Sequence, residues 1–265
     1  MDTDMMQSRL AAAKDIAREA GALGAKYFQD ISTLDIKSKG TQDLVSNADL
    51  EVELLVRDRI LAAFPDDGIV GEEHAPVATT SGWTWVIDPI DGTANFVRGI
   101  PQWCVILAVV FDDKTRIGVI FEPSTGEMFW TGEGMGAFVG DRKMAVAKSE
   151  GLDDGSVGVG MNGRTPTLMV VSLVTALAER GGIFFRNASG GLMLAYVAAG
   201  RLIGYTEPHM NAWDCLAGQL LIAESGGRVE DQSADDLLAN GGRVIAGSPD
   251  IYDELLAISE AAFKT

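Results

Sequence analysis

At 265 residues and 28.1 kDa, with 47% hydrophobic and 22% charged side chains, the chain carries enough apolar material for a full core. Its 38 acids against 21 lysines and arginines leave a net charge of -17, a field that repels nucleic-acid phosphate and anionic lipid. No apolar run is long enough for a bilayer, residues 1–4 do not open a secretory leader, and Cys104 and Cys215 have neither ligand nor disulfide spacing. The expectation is a protein of the reducing cytoplasm, with both thiols in its core and no membrane or direct nucleic-acid partner.

Leu10, Ala13, Ala17, Ala20, Leu23 and Tyr27 recur at helical spacing, so an amphipathic helix is expected over residues 6–28. A short strand at 34–37 and a polar turn at 38–41 follow. A second helix is expected over 47–64, with Leu50, Leu54, Leu61 and Phe64 on one face. Asp49 falls in its first turn, where an acid caps the helix or answers its dipole. A strand at 69–71 then delivers Glu72 and Glu73. Neighbours in an extended chain point to opposite sides, so only one of the two can face a given site. His74 and His209, the only histidines, lack ligand or triad spacing and read as surface or loop residues.

Trp85, Val86 and Ile87 read as the end of a buried strand. Pro89 has no N–H for a sheet ladder, so the strand is expected to stop near Asp88. Asp88 and Asp91 then lie at its carboxyl end. Gly92 turns the chain, and Thr93 begins a segment leading to a short helix at 95–99, whose free N–H groups would attract phosphate. Either Asp-Pro or Asp-Gly alone is as readily a plain turn. Together beside an anion-binding turn they suit a hard divalent cation such as Mg2+, which takes oxygen ligands and shares substrate phosphate.

Strands at 103–111, 116–122, 128–130 and 136–139, separated by tight turns, imply an antiparallel sheet. The second half alternates: strand 157–161, helix 166–180, strand 183–186, helix 191–199, and strand 204–206 ending at Glu207. A helix over 213–225 with Asp214 in its first turn, a strand at 243–246 and a helix opening at Ser248-Pro249 complete it. This interleaving implies stacked layers of helix and sheet. The run from Gly158 to Gly163 matches G-x-G-x-x-G, but no buried strand leads into it from 153–156, so no dinucleotide site is assigned and a nicotinamide oxidoreductase is disfavoured. Asp88 and Asp91 are one residue too far apart for the aspartyl-nucleophile phosphatases. No nucleophile elbow, P-loop lysine or cysteine signature is present.

Taken together, residues 43–49, Gly71-Glu72-Glu73, Asp88-Pro89-Ile90-Asp91-Gly92-Thr93 and Trp213-Asp214-Cys215-Leu216-Ala217-Gly218 resemble the inositol monophosphatase family of Mg2+-dependent, lithium-sensitive phosphatases. The resemblance spans nearly the whole chain and implies a five-layer αβαβα sandwich. It implies one such domain over 1–265, with most metal ligands in about 1–150 and the substrate side with Asp214 in about 151–265. By the same resemblance Glu72, Asp88, the Ile90 carbonyl, Asp91 and Asp214 are the metal ligands, for two or three Mg2+ ions, with inhibition by Li+ or Ca2+. Asp88 would bridge two ions. Thr93 matches the hydroxyl that orients the attacking water, Asp49 the acid that holds that threonine, and Glu72 helps take the proton. Lys37 and Glu73 are further candidates near the metals.

The implied reaction is in-line attack of a metal-activated water on a phosphomonoester, whose oxygens are met by Asp91, Gly92, Thr93 and Asp214. Glu207, seven positions before Asp214, matches the glutamate that binds inositol hydroxyls, and Asn162, Gly190 and Gly191 fall where other substrate contacts sit. Asn162 and the two glycines depart from the animal enzymes and imply a wider pocket. Thr93-Ala94-Asn95-Phe96 and Trp213-Asp214 look like the inositol type, so inositol monophosphate is the expected substrate. Histidinol phosphate, a nucleotide 3'-phosphate or NADP are alternatives within the family. Some relatives act as extragenic suppressors that bind transcription machinery, which makes a regulatory, protein-binding role the alternative from another class. The family commonly forms homodimers.

Overall fold

The computed structural model describes residues 3–40, 43–163 and 165–264; Thr41 of the expected turn and residues 1–2 lie outside them. Helix α1 (Thr3–Gln29) turns Met6, Leu10, Ala13, Ala17 and Ala20 inward at the expected spacing. It leads to a hairpin of β1 (Ile36–Gly40) and β2 (Asp43–Ser46), then to α2 (Asn47–Ala63). Only 34–37 reads as strand from sequence. The rest of the hairpin lacks apolar alternation, and backbone pairing alone defines it.

Seven strands follow in one sheet, in spatial order β3 (Gly68–Gly71), β4 (Trp83–Asp91), β5 (Cys104–Phe111), β6 (Lys114–Glu122), β7 (Glu127–Gly132), β8 (Ala137–Val139) and β9 (Arg142–Lys143). Between β4 and β5 lies α3 (Thr93–Phe96), which starts earlier than the expected 95–99 because Gly92 already makes the turn. Only β3 and β4 run parallel; the other pairs are antiparallel, as the tight turns require.

The second sheet is built from β10 (Ser156–Val159), β11 (Ile183–Phe185), β12 (Gly204–Met210), β13 (Arg228–Val229) and β14 (Gly242–Gly247), in spatial order β11-β10-β12-β14-β13. Its helices are α4 (Thr167–Glu179), α5 (Gly190–Ala198), α6 (Ala212–Glu224), α7 (Ala234–Asn240) and α8 (Pro249–Ala262). The short β9, β13 and α7 carry too few residues for a periodic signal and are absent from the sequence-based expectations. Strand β12 runs on past Glu207 to Met210, because the register against β14 shifts at Pro208, where no N–H is required. His209 is therefore a half-buried strand residue rather than the surface or loop residue its isolation predicts.

Strand β5 shows how the layers form. Val105, Leu107 and Val109 face a core shared with α1 and α2, while Cys104, Ile106, Ala108 and Val110 face a second core filled by α5 and α6. Tyr205, Val244 and Ala246 of the second sheet close that middle core from the other side. A third core joins the far face of the second sheet to α4 and α8, through Val157, Val159, Leu173, Leu177, Ile251 and Leu255. The result is the expected αβαβα stack: α1 and α2, seven strands, α5 and α6, five strands, α4 and α8. Helix α6 lies so close on β6 that a Cβ at Gly118 would stand 2.7 Å from the Ala217 carbonyl oxygen. Both cysteines are buried in the middle core, and among the described residues no helix is long and apolar enough to cross a membrane.

Candidate active site

The strand does not stop at Asp88. β4 continues to Asp91, and its register on β5 shifts, with Asp88 opposite Ile106 and Asp91 opposite Cys104. Three steps on β4 thus match two on β5, a bulge around Pro89, which has no ladder bond to lose. The shift matters for chemistry. Residues three apart in a regular strand face opposite sides, and the extra residue turns Asp88 and Asp91 to the same face, the one that meets α5 and α6. Gly92 then takes φ 94°, a left-handed conformation that also leaves no room for a side chain, since a Cβ would lie 2.9 Å from the Gln102 carbonyl oxygen.

Two further acids arrive by one device used twice. Asp49 and Asp214 each occupy the third position of a helix and reach back to its N-cap, Ser46 for α2 and Asn211 for α6. Asp49 is fully buried; its Oδ2 accepts from Ser46 N at 2.8 Å and Ser46 Oγ at 2.7 Å, while Thr93 Oγ1 donates to its Oδ1 at 3.1 Å. The same hydroxyl lies 3.0 Å from the Ile90 carbonyl oxygen, its second acceptor. Asp214 Oδ2 accepts from Asn211 N and Nδ2, each at 3.2 Å. Asp91 Oδ2 is held by Ser189 Oγ at 2.6 Å, Gly191 N at 2.8 Å and Cys104 Sγ at 3.5 Å.

Glu72 follows β3 and is bound through its N–H to the Ile87 carbonyl at 3.3 Å, which sets it beside the carboxyl end of β4. Burial first, then the charges of Glu72, Asp91 and Asp214, hold the Asp88 carboxyl well above the ordinary range. Burial and the Asp91 charge push Asp214 up to about 7, and burial raises Asp91 despite its donors. Among the described residues, no three such donors already stand in ion-binding geometry. The donor set itself fits a hard divalent cation: the charges pressing on Asp88 are all negative, and all are carboxylates.

A second acidic group lies on the substrate side. Glu207 is buried in β12, and burial raises it to about 7. Tyr205 Oη donates to its Oε2 at 2.5 Å, and Asn162 Nδ2 lies 3.5 Å from its Oε1 while bonding the His209 carbonyl at 2.8 Å. Gly160 makes room for this pair, since a Cβ there would stand 2.1 Å from Glu207 Oε2. Within the G-x-G-x-x-G run, Gly158 thus makes room for Tyr205 and Gly160 for Glu207 at the end of β10, and α4 begins only at Thr167.

The fold brings Asp49, Glu72, Asp88, Ile90, Asp91, Thr93 and Asp214 together, with Gly191 bound to Asp91 and Gly190 against Met210 and Tyr205. Lys37 stands apart, with a mostly exposed side chain ion-paired to Asp35 at 3.7 Å. Glu73 directs its N–H to Glu53 Oε2 at 2.7 Å. Sequence reasoning missed Ser189, Tyr205 and Glu53; only Glu53 left a signal, an i, i+4 pairing with Arg57 on α2.

The profile of the inositol monophosphatase family matches residues 5–262. This chain belongs to that family. Its members are phosphatases of small phosphorylated substrates and are generally Mg2+-dependent. An inositol-1-monophosphatase of Rhizobium meliloti (strain 1021) is 35% identical over 259 residues, 95% of this chain and 92% of the relative. A protein named Nus factor SuhB of Haemophilus influenzae is 33% identical over 243 residues, 91% of either chain. Among solved structures, extragenic suppressor protein suhB from Bartonella henselae superposes with a TM-score of 0.89 at 29% identity, over 97% of this chain and 99% of that one.

Proposed function

We propose that this chain is a Mg2+-dependent phosphomonoesterase that hydrolyses inositol monophosphate to inositol and phosphate. The observation that carries the reading is the convergence of Glu72, Asp91 and Asp214 on buried Asp88, beside a threonine hydroxyl anchored on buried Asp49. Glu72, Asp88, Asp91 and Asp214, with the Ile90 carbonyl, would hold the metal. When bound, Mg2+ supplies Lewis-acid stabilisation of the phosphoryl oxygens and acidifies the attacking water. Thr93 Oγ1, its rotamer fixed by Asp49, would orient the attacking water in line with the leaving oxygen, and Glu72 would accept its proton. The Gly92 turn offers backbone N–H groups to the phosphate. Glu207, one oxygen occupied by Tyr205, presents the other with Asn162 to substrate hydroxyls.

Phosphate release tests this directly, with Mg2+ and with added Li+, from inositol 1-phosphate, histidinol phosphate, 3'-phosphoadenosine 5'-phosphate and NADP. Selective, lithium-sensitive hydrolysis of inositol 1-phosphate is the expected result; preference for another ester reassigns the Glu207 pocket. A second reading, a regulatory role through a protein partner, is favoured by the near-equal likeness to proteins named Nus factor SuhB, and absence of activity on the whole panel would support it. As working form we propose a cytoplasmic homodimer, in which the partner copy would cover the exposed apolar side chains Leu168 and Val171 of α4 and Ile183 and Phe184 of the edge strand β11.

A further inference from the structure

Glu53 and Arg57 take no part in the chemistry above, yet both are buried on α2 one turn apart. Their bond, Arg57 Nε to Glu53 Oε1 at 2.7 Å, takes two charges out of water, and such a pair returns little or nothing to stability against apolar packing. The remaining bonds all end on a single loop. Glu73 N donates to Glu53 Oε2 at 2.7 Å and His74 N to Oε1 at 3.2 Å. Arg57 Nη2 and Nη1 donate to the carbonyls of His74 and Ala75, each at 3.0 Å. Gly71 backs onto the same carboxylate so closely that a Cβ would stand 2.3 Å from Oε1.

One buried pair therefore grips the chain immediately before Glu72 and over the three residues after it. Glu72 N is itself tied to Ile87, the neighbour of Asp88. We infer that the Glu53–Arg57 pair is the positioning device for Glu72, fixing the backbone on both sides so that its carboxylate stands against Asp88 ready for the cation. The inference rests on the metal-dependent reading of the site. A carboxylate on a loop with no such anchor would lose rotational and backbone freedom on every binding event, and that cost would appear as weaker metal affinity. The pair meets the cost during folding.

The test is calorimetric Mg2+ binding to the full chain, together with phosphate release across Mg2+ concentration, for the parent protein, Glu53→Gln and the double variant Glu53→Met/Arg57→Met. The double variant leaves no unpaired buried charge, so it still folds, with a thermal midpoint in EDTA lowered by the four loop N–H and C=O groups that lose their partners. Both variants are expected to bind Mg2+ roughly 10–100-fold more weakly, with the half-saturating Mg2+ for turnover moving by the same factor. At saturating Mg2+, kcat returns to near the parent value. A folded double variant with parental Mg2+ affinity overturns the inference, as does lost turnover with unchanged affinity. A parent protein that binds no Mg2+ overturns the metal-dependent reading itself, a result separable from the other two.

Discussion

Replacing Asp214 by asparagine should make the metal-free protein more stable while disabling it. Asp214 is raised from 3.8 to about 7 by burial and by Asp91, and Asp88 is raised beside it. Between the unfolded value near 4 and the folded value near 7, the folded state holds a proton that the unfolded chain has released. Stability in EDTA therefore falls as pH rises through that window and levels off above it. Three pH units at ~1.4 kcal/mol each bound the penalty on Asp214 at about 4 kcal/mol. Asparagine cannot ionise and keeps a similar shape, so at pH 8 in EDTA the variant should gain on the order of 2–4 kcal/mol, or roughly 4–16 °C in Tm. Thermal melts of both proteins from pH 4 to 9, with EDTA and with Mg2+, are the assay. Mg2+ should flatten the pH slope of the parent and leave the variant nearly unmoved. A parent whose Tm is flat from pH 4 to 7 in EDTA, or an Asp214→Asn protein less stable than the parent at pH 8, would refute the reasoning.

Gly92→Ala meets both a left-handed φ and the Gln102 carbonyl; a loss of about 1–3 kcal/mol is expected by denaturant titration, with activity falling as the Thr93 turn shifts. Glu207→Gln should raise the KM for inositol 1-phosphate at least about tenfold while leaving hydrolysis of p-nitrophenyl phosphate, which offers no sugar hydroxyl, unchanged. Phe184→Asp places a charge on the exposed edge of the second sheet, so sedimentation should find monomers; dimers that persist would place the interface elsewhere.

A regular period marked the layers in β5 and α1 but misled in α2, which buries Ala48, Val52, Val56 and Ile60 and leaves Leu54 and Leu61 of the expected stripe exposed. β5 alternates between two cores and α1 keeps its apolar stripe, so both could be read from residue order. Within the candidate site, Asp88, Asp91 and Thr93 are marked in the sequence by the Pro and Gly beside them, whereas Asp49 reads from position alone as a helix cap and joins Glu72 and Asp214 only through the family resemblance. The bulge was less accessible. Pro89 argues for the end of a strand, and only pairing with β5 shows that the ladder skips one residue and turns both aspartates to one face. Long-range anchors were hidden for a related reason: Ser189 is 98 residues from Asp91, and no local pattern marks such a contact. The polar β1–β2 hairpin and the strand through Pro208 likewise rest on backbone pairing rather than on side-chain period.

The most direct test of the central claim is phosphate release from inositol 1-phosphate as Mg2+ is titrated into the EDTA-treated parent protein and its Asp91→Asn variant. The account predicts turnover that appears only with Mg2+ in the parent, and a fall of at least about a hundredfold in a variant that still folds. Full activity in EDTA, or Mg2+-dependent activity undiminished by Asp91→Asn, would contradict it.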